Sequence, residues 1–269
     1  MQRRSLLRLL SPACVALSLA IAGCAAPGTR LAPQGEPDVL LLGERHDAPG
    51  QIARVTDEVN RLVAQGRLAA LAIEMAPAGT STVALPRGAG DAALRGALGW
   101  NDKAWPWERY APAIRAAAAA GVPVVGANLP REQMGTAMED VSLDAQLGDD
   151  ARAQLATALR EGHCGLLPEA RIAPMLRVQI ARDRSMAHTV AESAAAGRTV
   201  VLLAGAAHAD GRLGVPQHLP IQLTVRSIAL VAEGDPAPGQ FDARWSTPAA
   251  PAGNPCAALA LRQPERPAR

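Results

Sequence analysis

Four short, nearly continuous apolar runs constrain this chain more than any other feature: Asp38 to Leu42, Leu68 to Met75, Val122 to Ala127 and Arg198 to Ala204. Runs of this length without polar alternation suit strands buried on both faces, which is the signature of a parallel sheet. Between the first two, Ile52, Val55, Val59, Leu62 and Val63 recur at helical spacing until Gly66 stops the pattern. Helical patterns also cover Trp107 to Ala120, Arg131 to Asp140, Asp149 to Glu161 and Glu169 to Ala196. Thr80 to Gly99 reads as turn-rich and irregular, Ile221 to Val231 as one or two further strands, and Gly234 to Arg269 as weakly patterned. Strands alternating with helices predict an α/β fold: a mainly parallel β-sheet flanked by helices, with a smaller helical subdomain inserted at about residues 131–196.

The 269 residues are 49% hydrophobic, enough to bury a sizeable core in one domain. Aromatics are only 2%, so Ala, Leu, Val and Ile must fill that core.

The first residues read as a targeting segment: Arg3, Arg4 and Arg8 precede an apolar stretch through Val15, Leu17 and Leu19. That stretch closes on Leu19-Ala-Ile-Ala-Gly-Cys24, which resembles a bacterial lipoprotein box with Cys24 as the lipidated residue. The expected organisation is a signal peptide at 1–23, a flexible tether at 24–37, an α/β domain at 38–256 and a tail at 257–269. Ala25 after the cysteine predicts an outer-membrane, periplasm-facing location, with the lipid as the only anchor to the bilayer. Loss of three arginines with the signal leaves 24 basic against 25 acidic residues, a balance that excludes a nucleic-acid binder. Cys164 and Cys256 then remain as a pair for an oxidising compartment, and a disulfide between them is expected.

Ligands of such sheets collect at the carboxyl ends of the strands, and Glu44, His46, Glu74, Asn128 and His208 all fall there. Two of these ends match: an apolar strand, then Gly43-Glu-Arg-His46, is echoed by an apolar strand, then Gly205-Ala-Ala-His208. Each glycine is expected to let the backbone turn sharply so that the histidine points back over the strand end. Glu74, in an otherwise apolar strand, needs a partner, and beside two histidines it reads as a general base or a metal ligand; an arginine partner is the structural alternative. Glu44 is read as an acid, a base or a helix cap, with Asp47 competing for the cap. Gln179, Asp183 and Met186 share one face of a long helix, with Arg182 beside them, and that face looks into the cleft or into solvent. Tyr110, the only tyrosine, carries a phenolate able to ligate ferric iron, or is half-buried packing. His188 and His218 are read as non-functional.

GERHD at Gly43 to Asp47, AIEM at Ala72 to Met75, Trp107-x-x-Tyr110-x-Pro112, Asn128-x-Pro130-Arg131, His163-Cys164-Gly165, Gln179-x-x-Arg182-Asp183-x-x-Met186-Ala187, and AGAAH with Gly214-Val-Pro216 together resemble the ChaN-like haem-binding lipoproteins. These belong to a wider group with the Tiki, TraB and erythromycin esterase-like proteins, and the match runs over roughly Asp38 to Cys256. The resemblance implies a haem-binding lipoprotein that assists haem or iron acquisition, holds haem between two protomers of a homodimer and works with an outer-membrane haem receptor. It implies cofactor contacts from Tyr110, His46, His208, Asn128, Arg131, Gln179, Arg182, Asp183 and Met186. The Tiki branch implies instead a metal-dependent hydrolase, with Glu44, His46, Glu74 and His208 catalytic and a divalent metal such as zinc or manganese on His46, Glu74 and His208. A non-catalytic scaffold lipoprotein is the third reading; enzymatic activity is the less favoured expectation.

Overall fold

A computed structural model describes residues 35–250, apart from 49 and 237, together with Cys256. The signal peptide, Cys24, most of the tether and the tail from 257 lie outside the described residues. Six strands form one sheet: β1 (Val39–Glu44), β2 (Leu68–Pro77), β3 (Val124–Asn128), β4 (Thr199–Gly205), β5 (Val225–Ala232) and β6 (Ala243–Thr247). They lie in the order β3-β2-β4-β1-β5-β6 with every pairing parallel. The expected α/β class with a parallel sheet is therefore what the chain adopts. β1 and β4 run side by side in the middle of the sheet, with Leu42 opposite Leu203 and Glu44 opposite Gly205. Their apolar runs are continuous because both faces of both strands are covered.

On one face lie α1 (Gly50–Ala64), α2 (Asp91–Ala97) and α3 (Trp107–Ala119), sharing a core with Leu40, Leu42, Leu71 and Ile73. The stripe predicted for α1 is the buried one, through Ile52, Val55, Val59 and Leu62. Gln51 at its start is fully buried and satisfied at both ends: its Oε1 accepts from the Arg45 N–H at 2.7 Å and its Nε2 donates to the Leu230 carbonyl at 3.0 Å. The other face is covered by α6 (Ile172–Glu192) through Met186, Ala187 and Val190. Between β3 and β4 the described chain forms helical segments only, including α4 (Met134–Glu139) and α5 (Asp149–Gly162). These pack on α6 around their own small core, with Leu143, Leu147, Leu155 and Val178.

Three expectations are refined. The stretch read as irregular contains α2; Ile221 to Val231 yields one strand, β5; and the weakly patterned region contains β6. β6 escapes a pattern-based reading because Ala243, Arg244, Trp245, Ser246 and Thr247 carry no apolar run, as befits an edge strand with one neighbour. Cys164 and Cys256 are joined by a disulfide, as expected. Cys164 has φ +57° and Gly165 φ +69°, and their N–H groups donate to the carbonyls of Glu161 and Arg160 at 2.8 Å each, closing the end of α5. No helix among the described residues is long and apolar enough to cross a membrane.

Candidate functional site

The two Gly-x-x-His motifs lie on adjacent strands and interlock. A Cβ on Gly43 would come within 2.9 Å of Ala206 Cα and Ala209 Cβ, in the short helix α7 (Ala206–Ala209) that carries His208. A Cβ on Gly205 would come within 2.9 Å of His46 Nε2. Each glycine thus clears space for the other motif. The expected sharp turn is not their role: neither has a positive φ, and Gly205 sits at φ −58°. Close approach is the second reason a chain needs glycine, and here it is the operative one.

Around this crossing runs a continuous series of acids and imidazoles. Asp183, from α6, is 2.7 Å through Oδ1 from His208 Nδ1. His208 Nε2 is 3.5 Å from Glu74 Oε1. Glu74 Oε2 accepts from the Gly205 N–H at 2.7 Å and lies 3.7 Å from His46 Nε2. His46 Nδ1 is 2.9 Å from Glu44 Oε1, and the Tyr110 hydroxyl, from α3, donates to that same oxygen at 2.9 Å. Glu44 Oε2 is buried without a hydrogen-bond partner among the described residues. Asn128 donates from Nδ2 to the Glu74 carbonyl at 2.9 Å and so braces the end of β2. The partner of Glu74 is therefore a pair of imidazoles and a backbone amide rather than an arginine.

Burial within the protein opposes charge on His208, but the Asp183 and Glu74 carboxylates overcome it and hold the ring's pKa at about 10. Burial would likewise raise Glu74, yet the His208 cation, His46 and the Gly205 amide bring it down to about 2. Burial pushes Asp183 up to about 6 against the pull of His208. For His46, burial is outweighed by Glu44 and Glu74, and its pKa is raised. His208 is accordingly a buried imidazole with both nitrogens turned to carboxylates, which favour its charged form. Among the described residues no group of three or more His, Cys, Asp or Glu side chains is placed to hold a metal ion. The divalent-metal expectation on His46, Glu74 and His208 thus gains no support.

The other predicted residues are dispersed. Met186 is fully buried in the sheet-facing core, Arg131 is on the surface, and Gln179 is half-buried. Arg182 is half-buried beside Asp183, its Nε without a hydrogen-bond partner among the described residues. His188 is exposed and pairs with Glu192 at 3.2 Å. His218 is half-buried, its Nε2 without a hydrogen-bond partner among the described residues, and burial lowers its pKa to about 4.

An aromatic cluster completes the site. Trp105 meets His46 edge to face at 4.8 Å and Tyr110 at 6.1 Å; Trp100 lies 5.9 Å from Tyr110 and 5.0 Å from Trp107. Three of the four tryptophans and the only tyrosine therefore form one cluster, which meets His46, the more exposed imidazole of the pair at 37%, through Trp105. Trp100 and Trp105 were missed by the sequence reading, though three tryptophans within eight positions of an aromatic-poor chain are a legible signal.

Residues 34–219 match a family model described as haem-binding uptake, Tiki superfamily, ChaN. Among solved structures, the chain resembles that of ChaN of Campylobacter jejuni with cofacial heme binding: the TM-score is 0.62 at 22% identity, covering 76% of this chain and 86% of that one. The type III effector HopBA1 aligns at TM-score 0.42 and 14% identity over 79% of this chain and 88% of its own. A Bacillus cereus protein aligns at 0.43 and 14% over 74% and 66%. Among curated proteins none matches.

Proposed function

Because this chain belongs to the haem-binding uptake family of ChaN in the Tiki superfamily, we propose that it binds haem at the strand-end site beside His46. The observation that carries this reading is the aromatic cluster: a chain with 2% aromatics sets Trp105 edge-on against the part-exposed His46, with Trp100 and the buried Tyr110 behind it. Flat, apolar side chains next to a nitrogen donor are what a porphyrin requires, so the residues present fit the group.

When bound, haem would supply an iron centre that a donor side chain of the protein could hold. His46 is the residue this site offers as ligand, because its side chain is 37% exposed and Glu44 orients its ring through Nδ1. Tyr110 lies beneath, 1% exposed, and burial together with the Glu44 carboxylate pushes its phenol above the usual range and keeps it protonated. The wider proposal is a lipoprotein anchored through Cys24 in the outer membrane, facing the periplasm, that assists haem or iron acquisition as a homodimer and with an outer-membrane haem receptor.

The test is a hemin titration of the detergent-solubilised full chain, followed in the Soret region, for wild type, His46→Ala and Tyr110→Phe. The expected result is a saturable shift in wild type, weakened roughly tenfold or more by His46→Ala. No saturable shift in wild type sinks the haem reading; a shift weakened only by Tyr110→Phe moves the ligand to the tyrosine.

A further inference from the structure

All six strands run parallel, so their amino ends share one edge of the sheet, and the His46 site lies at the other. The described chain enters at that amino edge. From Gly35 it runs into β1 beside the starts of β4 and β5: the Val200 N–H donates to the Asp38 carbonyl at 2.9 Å and the Val39 N–H to the Thr224 carbonyl at 3.0 Å. Arg67 and Arg198, the residues just before β2 and β4, stand side by side there, since the Thr199 N–H donates to the Arg67 carbonyl at 2.7 Å. Arg87 lays its guanidinium against Gly121, in the turn before β3.

Arg87 and Arg198 are exposed and Arg67 half-buried, and none of the three forms an ion pair among the described residues. The carboxylates nearby are engaged. Glu36 and Glu58 pair with Arg61 at 2.6 and 2.5 Å, Asp38 accepts from the Thr224 N–H and hydroxyl at 2.9 and 2.7 Å, and Glu192 pairs with His188. The two most exposed large apolar side chains among the described residues occupy the same edge. Ile221, 86% exposed, is in the turn leading into β5. Val83, 73% exposed, follows Thr82, whose N–H donates at 3.0 Å to the carbonyl of Val124, the first residue of β3. Arginines without counter-ions, with apolar tips between them, are the chemistry that an anionic lipid surface accepts. Ten residues separate Cys24 from Gly35 in the sequence, and that length of chain spans at most about 40 Å. A lipid on Cys24 would keep this edge, rather than the opposite one, next to the bilayer.

We infer that the amino edge of the sheet is a docking face for an anionic phospholipid bilayer, on which Arg67, Arg87 and Arg198 meet headgroups while Ile221 and Val83 enter the interface. The face owes nothing to haem and takes only the nearness of the bilayer from the lipid proposed on Cys24. Docking fixes a direction. β1 rises about 20 Å from this edge to the site, so His46 opens away from the lipid and exchanges its ligand on the aqueous side.

The test is modification by phenylglyoxal, read arginine by arginine by peptide mass spectrometry, on the full chain reconstituted into vesicles of phosphatidylcholine alone or mixed with phosphatidylglycerol. Arg67, Arg87 and Arg198 are expected to react several-fold more slowly on the anionic vesicles. The exposed Arg131 and Arg212, beyond the carboxyl ends of β3 and β4, are expected to react alike on both. Ile221→Asp, at a side chain too exposed to unsettle the fold, is expected to remove most of the protection; full protection in that variant overturns the part given to the apolar tips. Equal rates on the two vesicles overturn the docking face, as does equal protection of Arg131 and Arg212. Protection in detergent without lipid, growing with protein concentration, gives the face to a second copy and also overturns it. The same digests read the acyl group on Cys24, so loss of the anchor and loss of the docking face are told apart.

Discussion

His208 and Gly205 show how single residues set this site. His208→Ala removes the cation between two buried carboxylates, Asp183 and Glu74. Breaking a buried pair in this way costs about 3–5 kcal/mol, so urea denaturation is expected to show a loss of that size; a variant as stable as wild type would mean the network contributes nothing to the fold. Gly205→Ala places a methyl 2.9 Å from His46 Nε2. The ring must move, at a cost of about 1–3 kcal/mol, and hemin affinity is expected to fall with it. An unchanged His46 ring signal in NMR would contradict the interlock. At this scale the sequence announced the pair of motifs but not why each glycine is there, because the atoms a Cβ would strike belong to the other motif, more than 150 positions away.

Among the elements, α5 packs on α6 around a small core that it shares with α4, apart from the two clusters that cover the sheet. The disulfide from Cys164 at its end to Cys256 spans 92 residues, enclosing β4, β5 and β6. A loop of that length is worth about 4.6 kcal/mol in the chain-entropy model. Cys164→Ser is therefore expected to lower the unfolding free energy by about that amount, and dithiothreitol should bring wild type to the same value; a reductant-insensitive melt would argue against the bridge. The elements that were legible, β1, β2, β3 and β4, are those whose both faces are buried. α2 and β6 were not, since seven residues at 91–97 and an edge strand with alternating exposure leave too short a pattern.

For the whole molecule, the buried charges set a pH window. His208 is raised from 6.5 to about 10, so its stabilisation is complete below pH 6.5 and is lost as pH rises to about 10. Glu74 is lowered from 4.5 to about 2, so its contribution is complete above pH 4.5 and is lost as pH falls to about 2. Asp183, raised from 3.8 to about 6, works the other way and erodes stability across that interval. The melting temperature is expected to decline between pH 6.5 and 10, and His208→Gln should flatten that decline; equal slopes would assign the effect to other groups.

Taken by itself, the sequence determined the parallel α/β class, the strand ends as the place where chemistry gathers, and the cysteine pair, because hydrophobic periodicity and composition are local properties. Only the tertiary structure decided that β4 inserts beside β1, and hence that Glu74 lies between His46 and His208. It alone set Trp105 against His46 and Trp100 against Tyr110, and it turned Tyr110 inward to Glu44. Strand order and side-chain direction depend on which surfaces bury one another, and that is settled by packing between segments distant in the chain.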